Sequence, residues 1–113
     1  MNLYPQINND VTELESMTHI LISKLKKFHN FNEKTGYPEG KQFGLNVDST
    51  IQRTQMGKEL SATYNFFLWA HDENDIPSEA NSIFLNEISI MAKKINGKLV
   101  TNNRLAIKKK YTE

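Results

Sequence analysis

Histidines and acidic side chains are the residues of this sequence that could bind a metal or transfer protons. The three histidines are His19, His29 and His71; their spacing matches no zinc signature, and there is no cysteine to complete one. His71 precedes the acidic segment 72–75, which lacks the glycine and the distant glutamate of a calcium-binding loop. We therefore predict a solvated connector after His71 and no metal site.

Motifs for covalent or phosphoryl-transfer catalysis are also missing. Gly36, Gly40 and Gly44 are spaced by four residues, but no Gly-Lys-Ser or Gly-Lys-Thr sequence accompanies them, as a phosphate-binding loop requires. The sequence has no serine nucleophile elbow and no dinucleotide fingerprint. No carboxylate lies within an apolar segment, where burial would raise its pKa and suit it to acid catalysis. The sequence predicts a protein that is not an enzyme and binds no cofactor.

The composition indicates one ordinary globular domain. The chain has 113 residues, of which 38% are hydrophobic, enough for a single packed core. Its 14 basic and 13 acidic side chains nearly cancel, so no overall field attracts nucleic acid or an anionic membrane. Apolar runs are too short for membrane insertion, and the amino terminus has no secretory signal. We expect one α+β domain over residues 1–113 in the reducing cytoplasm, which suits a chain without cysteine.

Two segments have the three- and four-residue periodicity of a buried helical stripe. The first helix is predicted over residues 10–27, where Asp10 and Glu13 could form a capping box at its start. The second begins near Pro77 and ends at Asn96-Gly97, where the glycine could adopt the left-handed conformation of a helix cap. The stripes consist of Val11, Leu14, Met17, Leu21, Leu25 and Phe28 in the first helix, and of Ala80, Ile83, Phe84, Ile88, Met91 and Ile95 in the second.

Alternating apolar and polar residues predict the strands. The segment 29–41 is rich in turn residues and predicts a loop, with a short strand near residues 28–32. A strand begins at Phe43, a turn is expected at Gly57-Lys58, and residues 60–71 are the most strand-like part of the chain.

The carboxy-terminal part predicts a short hairpin. Its strands are expected at residues 98–101 and 104–107, around Asn102-Asn103, and a frayed tail with the lysines 108–110 follows. The resulting order, α-β-β-α-β, predicts two helices packed on one face of a small antiparallel sheet, in a split β-α-β or ferredoxin-like arrangement.

The strand predicted over residues 60–71 has two different faces. Its even-numbered residues are mostly apolar and should point at the helices. Its odd-numbered residues form what we call the open face: Ser61, Thr63, Asn65, Phe67, Trp69 and His71. Large aromatic side chains on an uncovered sheet indicate an interaction site. The residues predicted to bind a partner are Asn65, Phe67, Trp69 and His71.

The kind of partner is open at this stage. A protein or peptide is the leading prediction. Single-stranded nucleic acid is the alternative, with bases stacked on the rings and phosphates held by the lysines 108–110. A small inhibitor or immunity-type protein that blocks one enzyme is a third reading. The rings could also be covered by the amino-terminal residues Leu3, Tyr4 and Ile7 or by a second copy of the chain, as in a homodimer.

Three blocks of the sequence are similar to a known family in their residue types and in the spacing between them. They are FGLN at residues 43–46, YNFFL at 64–68 and MAKKINGKLV at 91–100, the last followed by Asn103 and Arg104. In these blocks, which lie between residues 28 and 107, the chain resembles the FtsZ-binding domain of the ZipA family of bacterial cell-division proteins. The resemblance implies a split β-α-β fold and a cell-division adaptor. Its open sheet face would hold a short carboxy-terminal peptide of FtsZ through apolar contacts, with Phe67 and Trp69 as their natural carriers.

Overall fold

Helix α1 spans Tyr4–Leu25 in the computed structural model of the protein, which describes residues 3–34, 38–53, 59–101 and 104–112. Pro5 lies in its first turn, where the missing N–H leaves no hydrogen bond unmade. One stripe of the helix is buried, and it consists of Ile7, Leu14, Leu21 and Leu25. The helix therefore starts well before the predicted position at residue 10.

The predicted capping box is wrong, because Asp10 and Glu13 both lie inside α1. The carboxylate of Asp10 accepts hydrogen bonds from the Tyr111 hydroxyl at 2.6 Å and from the Lys109 ammonium group at 2.7 Å. Glu13 forms an exposed ion pair with Lys94, with N and O 3.7 Å apart. Lys109, one of the partners of Asp10, lies 99 positions away in the sequence. A local sequence pattern therefore cannot predict this contact.

Five strands form one sheet. They are β1 (Phe31–Asn32), β2 (Phe43–Arg53), β3 (Glu59–Ala70), β4 (Lys98–Thr101) and β5 (Leu105–Thr112). Their order across the sheet is β1-β2-β3-β5-β4; β1 runs parallel to β2, and all other neighbours are antiparallel. The second helix, α2 (Ser78–Lys94), follows a 3-10 turn at Glu73–Asp75 and connects β3 to β4.

These elements confirm the α+β class. The sheet is mixed rather than purely antiparallel, and the chain begins with a helix, so the ferredoxin-like order is not confirmed. The short strand expected near residues 28–32 is β1. The turns expected at Gly57-Lys58 and at Asn102-Asn103 lie outside the described residues.

The lysine-rich end of the chain is a strand, and the prediction of a frayed tail is wrong. Strand β5 pairs with β3 from Leu105 to Thr112, and Tyr111 is buried beside Leu60. Successive strand residues point to opposite faces, so Ile107 and Tyr111 reach the core while Lys108 and Lys110 stay exposed. The alternation lets a strand carry a run of charges without burying all of them.

The end of α2 also differs from the prediction in one detail. The left-handed residue is Asn96, with φ 57°, and not Gly97. The N–H of Gly97 donates to the carbonyl of Ala92 at 2.8 Å and closes the helix. Glycine is required at position 97 because a Cβ atom there would clash with Cγ2 of Ile107. Glycine is needed at this position because of the limited space beside the Ile107 side chain, and not because of the backbone conformation.

Two tyrosines lie in the core between the sheet and α1. The hydroxyl groups of Tyr64 and Tyr111 are 2.8 Å apart, and both side chains are almost fully buried. Burial is the main cause that raises the pKa of both phenols above 10.0. The two tyrosines thus remain neutral in the folded state under conditions in which an unfolded chain would ionise them.

This shift predicts a loss of stability in alkali. Because the folded pKa values are raised, the stabilising contribution is complete below the unfolded pKa of about 10 and falls as the pH rises further, by up to ~1.4 kcal/mol per pH unit for each phenol. We expect a double variant, Tyr64→Phe with Tyr111→Phe, to lose less stability than the wild type between about pH 9 and pH 11. Urea unfolding across this range measures both slopes. Equal slopes in the two proteins would contradict the prediction.

Candidate binding surface on the sheet

The strand register shows which side chains share the open face with the odd-numbered residues of β3. In β3 the even-numbered residues up to Phe66 are buried, and the odd-numbered ones are half buried. Residues directly opposite each other in antiparallel strands point to the same face. The other strands therefore add the following residues to the open face: Gly44, Asn46, Asp48, Thr50 and Gln52 from β2; Ala106, Lys108 and Lys110 from β5; and Lys98 and Val100 from β4.

Phe67 and Trp69 form the aromatic part of this face. The guanidinium carbon of Arg104 lies 4.3 Å from the centre of the Phe67 ring, the geometry of a cation–π contact. Trp69 is opposite Gly44, which has no side chain and leaves space on β2 for an indole. Both rings are half buried, and two of the amino-terminal residues that could have covered them, Leu3 and Ile7, belong to the core.

The other two predicted binding residues lie on either side of the rings. The indole of Trp69 contacts the imidazole of His71 edge to face, with ring centres 5.6 Å apart, and His71 itself is exposed. Asn65 donates a hydrogen bond to the Asp48 carboxylate on β2 at 2.8 Å. The structure therefore places Asn65, Phe67 and Trp69 in one row along β3, with His71 directly after the end of the strand and Asn65 hydrogen-bonded to Asp48.

A cluster of lysines completes the face. Lysines 108–110 were expected to contact phosphate only in the nucleic-acid alternative and otherwise to form a frayed tail, and Lys98 was not predicted to join them. Lys98, Lys108 and Lys110 are exposed, and none of them has an ion-pair partner within the part of the chain that the structure describes. Lys108 stands opposite Thr63 of β3 on one side and opposite Lys98 of β4 on the other. Like charges directly opposite each other in a sheet destabilise the pair, so an anion bound here would relieve a repulsion.

The signal that could have revealed these lysines is the continuation of alternation beyond Ile107. Tyr111 falls on the same face as Ile107, which extends the strand across the lysine run. Among the described strand residues, two acidic side chains lie on this surface: Asp48, which accepts from Asn65, and Glu59, at the start of β3. The face is thus aromatic at one end and basic at the other.

One buried carboxylate contradicts the expectation that none lies in an apolar segment. Glu87, in the middle of α2, is 4% exposed and forms an ion pair with Lys24 of α1. The pair joins the two helices on the side of the molecule away from the open face. This ion pair is a structural contact between the helices, in which the lysine balances the negative charge of the buried glutamate.

The described residues contain no group of three or more histidine, aspartate or glutamate side chains positioned to hold a metal ion. Within the same ranges of the chain, no helix has the length and apolar character required to cross a membrane. No protein-family model, curated protein or solved structure matches the chain. The resemblance to the ZipA family accordingly stays a prediction.

Proposed function

We propose that this protein is a non-enzymatic binding domain whose open face holds an extended protein segment with apolar and acidic side chains. The observation that carries the proposal is the juxtaposition of Phe67 and Trp69 with the unpaired lysines of β4 and β5 on one sheet surface. Aromatic anchors supply most of the energy in interfaces of this kind, and complementary charge directs the partner to them.

The chemistry of the two ends defines the partner. Apolar side chains would cover the rings of Phe67 and Trp69, with Arg104 available for a carboxylate or a backbone carbonyl. Acidic side chains would lie over Lys98 and Lys108, whose mutual repulsion they reduce. The carboxy-terminal peptide of FtsZ is the specific candidate that the family resemblance supplies, and a cell-division adaptor is the corresponding role.

Single-stranded nucleic acid is the second candidate. It is favoured by the contact of Arg104 with Phe67 at one end of the face and three exposed lysines at the other, since bases stack on such rings and phosphates pair with such cations. This candidate predicts binding that weakens steeply as salt is added, because each neutralised phosphate releases a counterion.

Tryptophan fluorescence distinguishes the two candidates, because Trp69 is the only tryptophan of the chain. We expect a synthetic FtsZ carboxy-terminal peptide to change its emission. Phe67→Ala should weaken that binding by about 30-fold, the equivalent of the ~2 kcal/mol lost at a typical hot spot. An oligothymidylate titrated at two salt concentrations tests the nucleic-acid candidate in the same cuvette.

Affinity capture from a cell lysate tests the surface without assuming a partner. The bait proteins are the wild type, Trp69→Ala, and Leu85→Ala as a control that removes an exposed apolar side chain from α2. We expect Trp69→Ala to lose the captured protein and Leu85→Ala to keep it. A Trp69→Ala protein with a native circular dichroism spectrum that captures as much partner as the wild type would refute the assignment of this face.

A further inference from the structure

Strand β2 has a long outer edge. β1 pairs only with Phe43 and Gly44, so no strand lies beside residues 45–53 on that side among the described residues. On its inner side, β2 pairs with β3 along its whole length. An uncovered edge of this length is a template for another strand.

The direction of the backbone groups along this edge follows from one hydrogen bond. The N–H of Phe43 donates to the carbonyl of Asn30 at 3.0 Å, so residue 43 directs its polar backbone groups toward the β1 side. These groups alternate between the two sides of a strand. The odd-numbered residues Leu45, Val47, Ser49 and Ile51 therefore direct their N–H and C=O groups outward.

The exposed side chains of this edge include apolar ones, although edge strands usually carry residues that prevent pairing with another strand. Val47 is 49% exposed and Ile51 is 42% exposed, both on the helix side of the sheet. Beside them, a cleft of about 260 Å³ separates β2 from Val11 and Thr18 of α1. Proteins usually protect such edges with lysine or proline, and residues 45–52 contain neither.

We propose that a second copy of this chain pairs with this edge, β2 against β2 in antiparallel orientation, across a two-fold axis that passes through Ser49. In this register Val47 lies opposite the partner's Ile51, and Ile51 lies opposite the partner's Val47. The four exposed apolar side chains then form one patch. Asp48 faces the partner's Thr50, so no like charges meet.

The neighbouring registers are worse. With the axis at Asp48, this carboxylate would face the partner's Asp48 in the closely spaced, non-hydrogen-bonded type of pair, where like charges repel most strongly. With the axis at Thr50, Val47 would face the partner's Arg53, and Ile51 would face the partner's Ser49. Of these three registers, the one centred on Ser49 matches both charge and hydrophobicity.

The size of the contact suits a weak dimer. Nine strand residues extend over about 30 Å, and the molecule is 22 to 23 Å across in its shorter dimensions. The contact is therefore on the order of 650 Å² per partner, below the ~800 Å² of a standard interface. We expect a dissociation constant in the micromolar range, the weak end for interfaces of about this size.

The dimer is independent of the proposed function, because the open face lies on the other side of the sheet from Val47 and Ile51. Antiparallel pairing in which odd-numbered residues face each other keeps the open faces of both copies on the same side of a ten-stranded sheet. Two copies of the rings and lysines would then face one partner, and a bivalent partner would bind more tightly than a single copy allows.

Disulfide trapping tests the register, since the chain has no cysteine of its own. At the two-fold axis, Cα atoms of a hydrogen-bonded pair are about 5.5 Å apart, within the range of a disulfide. We expect Ser49→Cys to form a covalent dimer in a glutathione redox buffer. Ile51→Cys is the matched control, because two copies of residue 51 would be offset by four residues, about 13 Å along the strands. Equal trapping of both variants, or of neither, would overturn the proposal.

Sedimentation equilibrium tests the association itself. We expect the wild type to dimerise at concentrations up to about 100 µM and Ser49→Pro to remain monomeric. The N–H of Ser49 points away from β3, so proline there should leave the fold intact, which circular dichroism verifies. A wild type that stays monomeric throughout, or a folded Ser49→Pro protein that dimerises as strongly as the wild type, would show that the edge does not bind a second copy.

Discussion

Asp10→Ala should lower the free energy of unfolding by about 2–4 kcal/mol, somewhat less than the 3–5 kcal/mol typical of breaking a fully buried ion pair. The substitution removes the acceptor for the Tyr111 hydroxyl and the partner of the Lys109 ammonium group. The Tyr111 hydroxyl would keep only its contact with the Tyr64 hydroxyl, and the mostly buried Lys109 ammonium group would lose its ion-pair partner. Lys109 and Asp10 keep 23% and 16% of their side-chain area exposed, which is why the estimate is below the full range.

Urea unfolding measures this loss of stability. Two further variants show which contact of the helix causes it. Asp10→Asn keeps an oxygen that can accept from Tyr111, so it should cost less than Asp10→Ala. Glu13→Ala removes the exposed ion pair with Lys94 and should cost at most about 0.5 kcal/mol. If Glu13→Ala were as destabilising as Asp10→Ala, the two residues would be acting together at a helix start, contrary to the structure.

Phe43→Ala should destabilise the protein by about 3–5 kcal/mol, as expected for removal of a fully buried ring. Phe43 has no exposed surface, and its ring centre lies 5.2 Å from that of Phe31 and 6.1 Å from that of Phe28. These contacts attach β1 and the turn that follows α1 to the sheet. The cavity would therefore weaken the packing of three elements.

The matched control for this prediction is Ile51→Ala. It lies on the same strand and the same face as Phe43, but its side chain is 42% exposed, so it should cost less than about 1 kcal/mol. Chemical unfolding of both variants measures the two losses of stability and compares them. Equal losses would mean that β2 is buried uniformly along its length, and the edge described above would not exist.

The faces of β3 were predictable from sequence because a period of two depends only on local backbone geometry. Leu60 and Tyr64 are buried as expected, while Phe67 and Trp69 lie on the other face. The end of α2 was also correctly located, although Asn96 and not Gly97 adopts the left-handed conformation. Each of these features is encoded within a few residues.

The start of α1 and the course of β5 were not predictable in the same way. Asp10 has the sequence context of a helix cap, and three consecutive lysines have the composition of a tail. Their actual roles depend on each other, since Lys109 pairs with Asp10 across the core. The place of the lysines on the open face was not predictable for the same reason: Lys108 lies opposite Thr63, and Lys98 lies opposite Lys108, through strand pairing that no local pattern specifies.

Because burial alternates along β3, the residues that stabilise the core and the residues that form the open face occupy alternate positions of one strand. Substitutions at Ala62, Tyr64 or Phe66 would change the stability of the domain, whereas those at Thr63 or Asn65 would chiefly alter the chemistry of the open face. If the open face binds a partner as proposed, mutation at one set of positions would change its binding preference while the neighbouring set maintains the fold. A library randomised at the odd-numbered positions alone should yield mostly folded proteins with varied preferences.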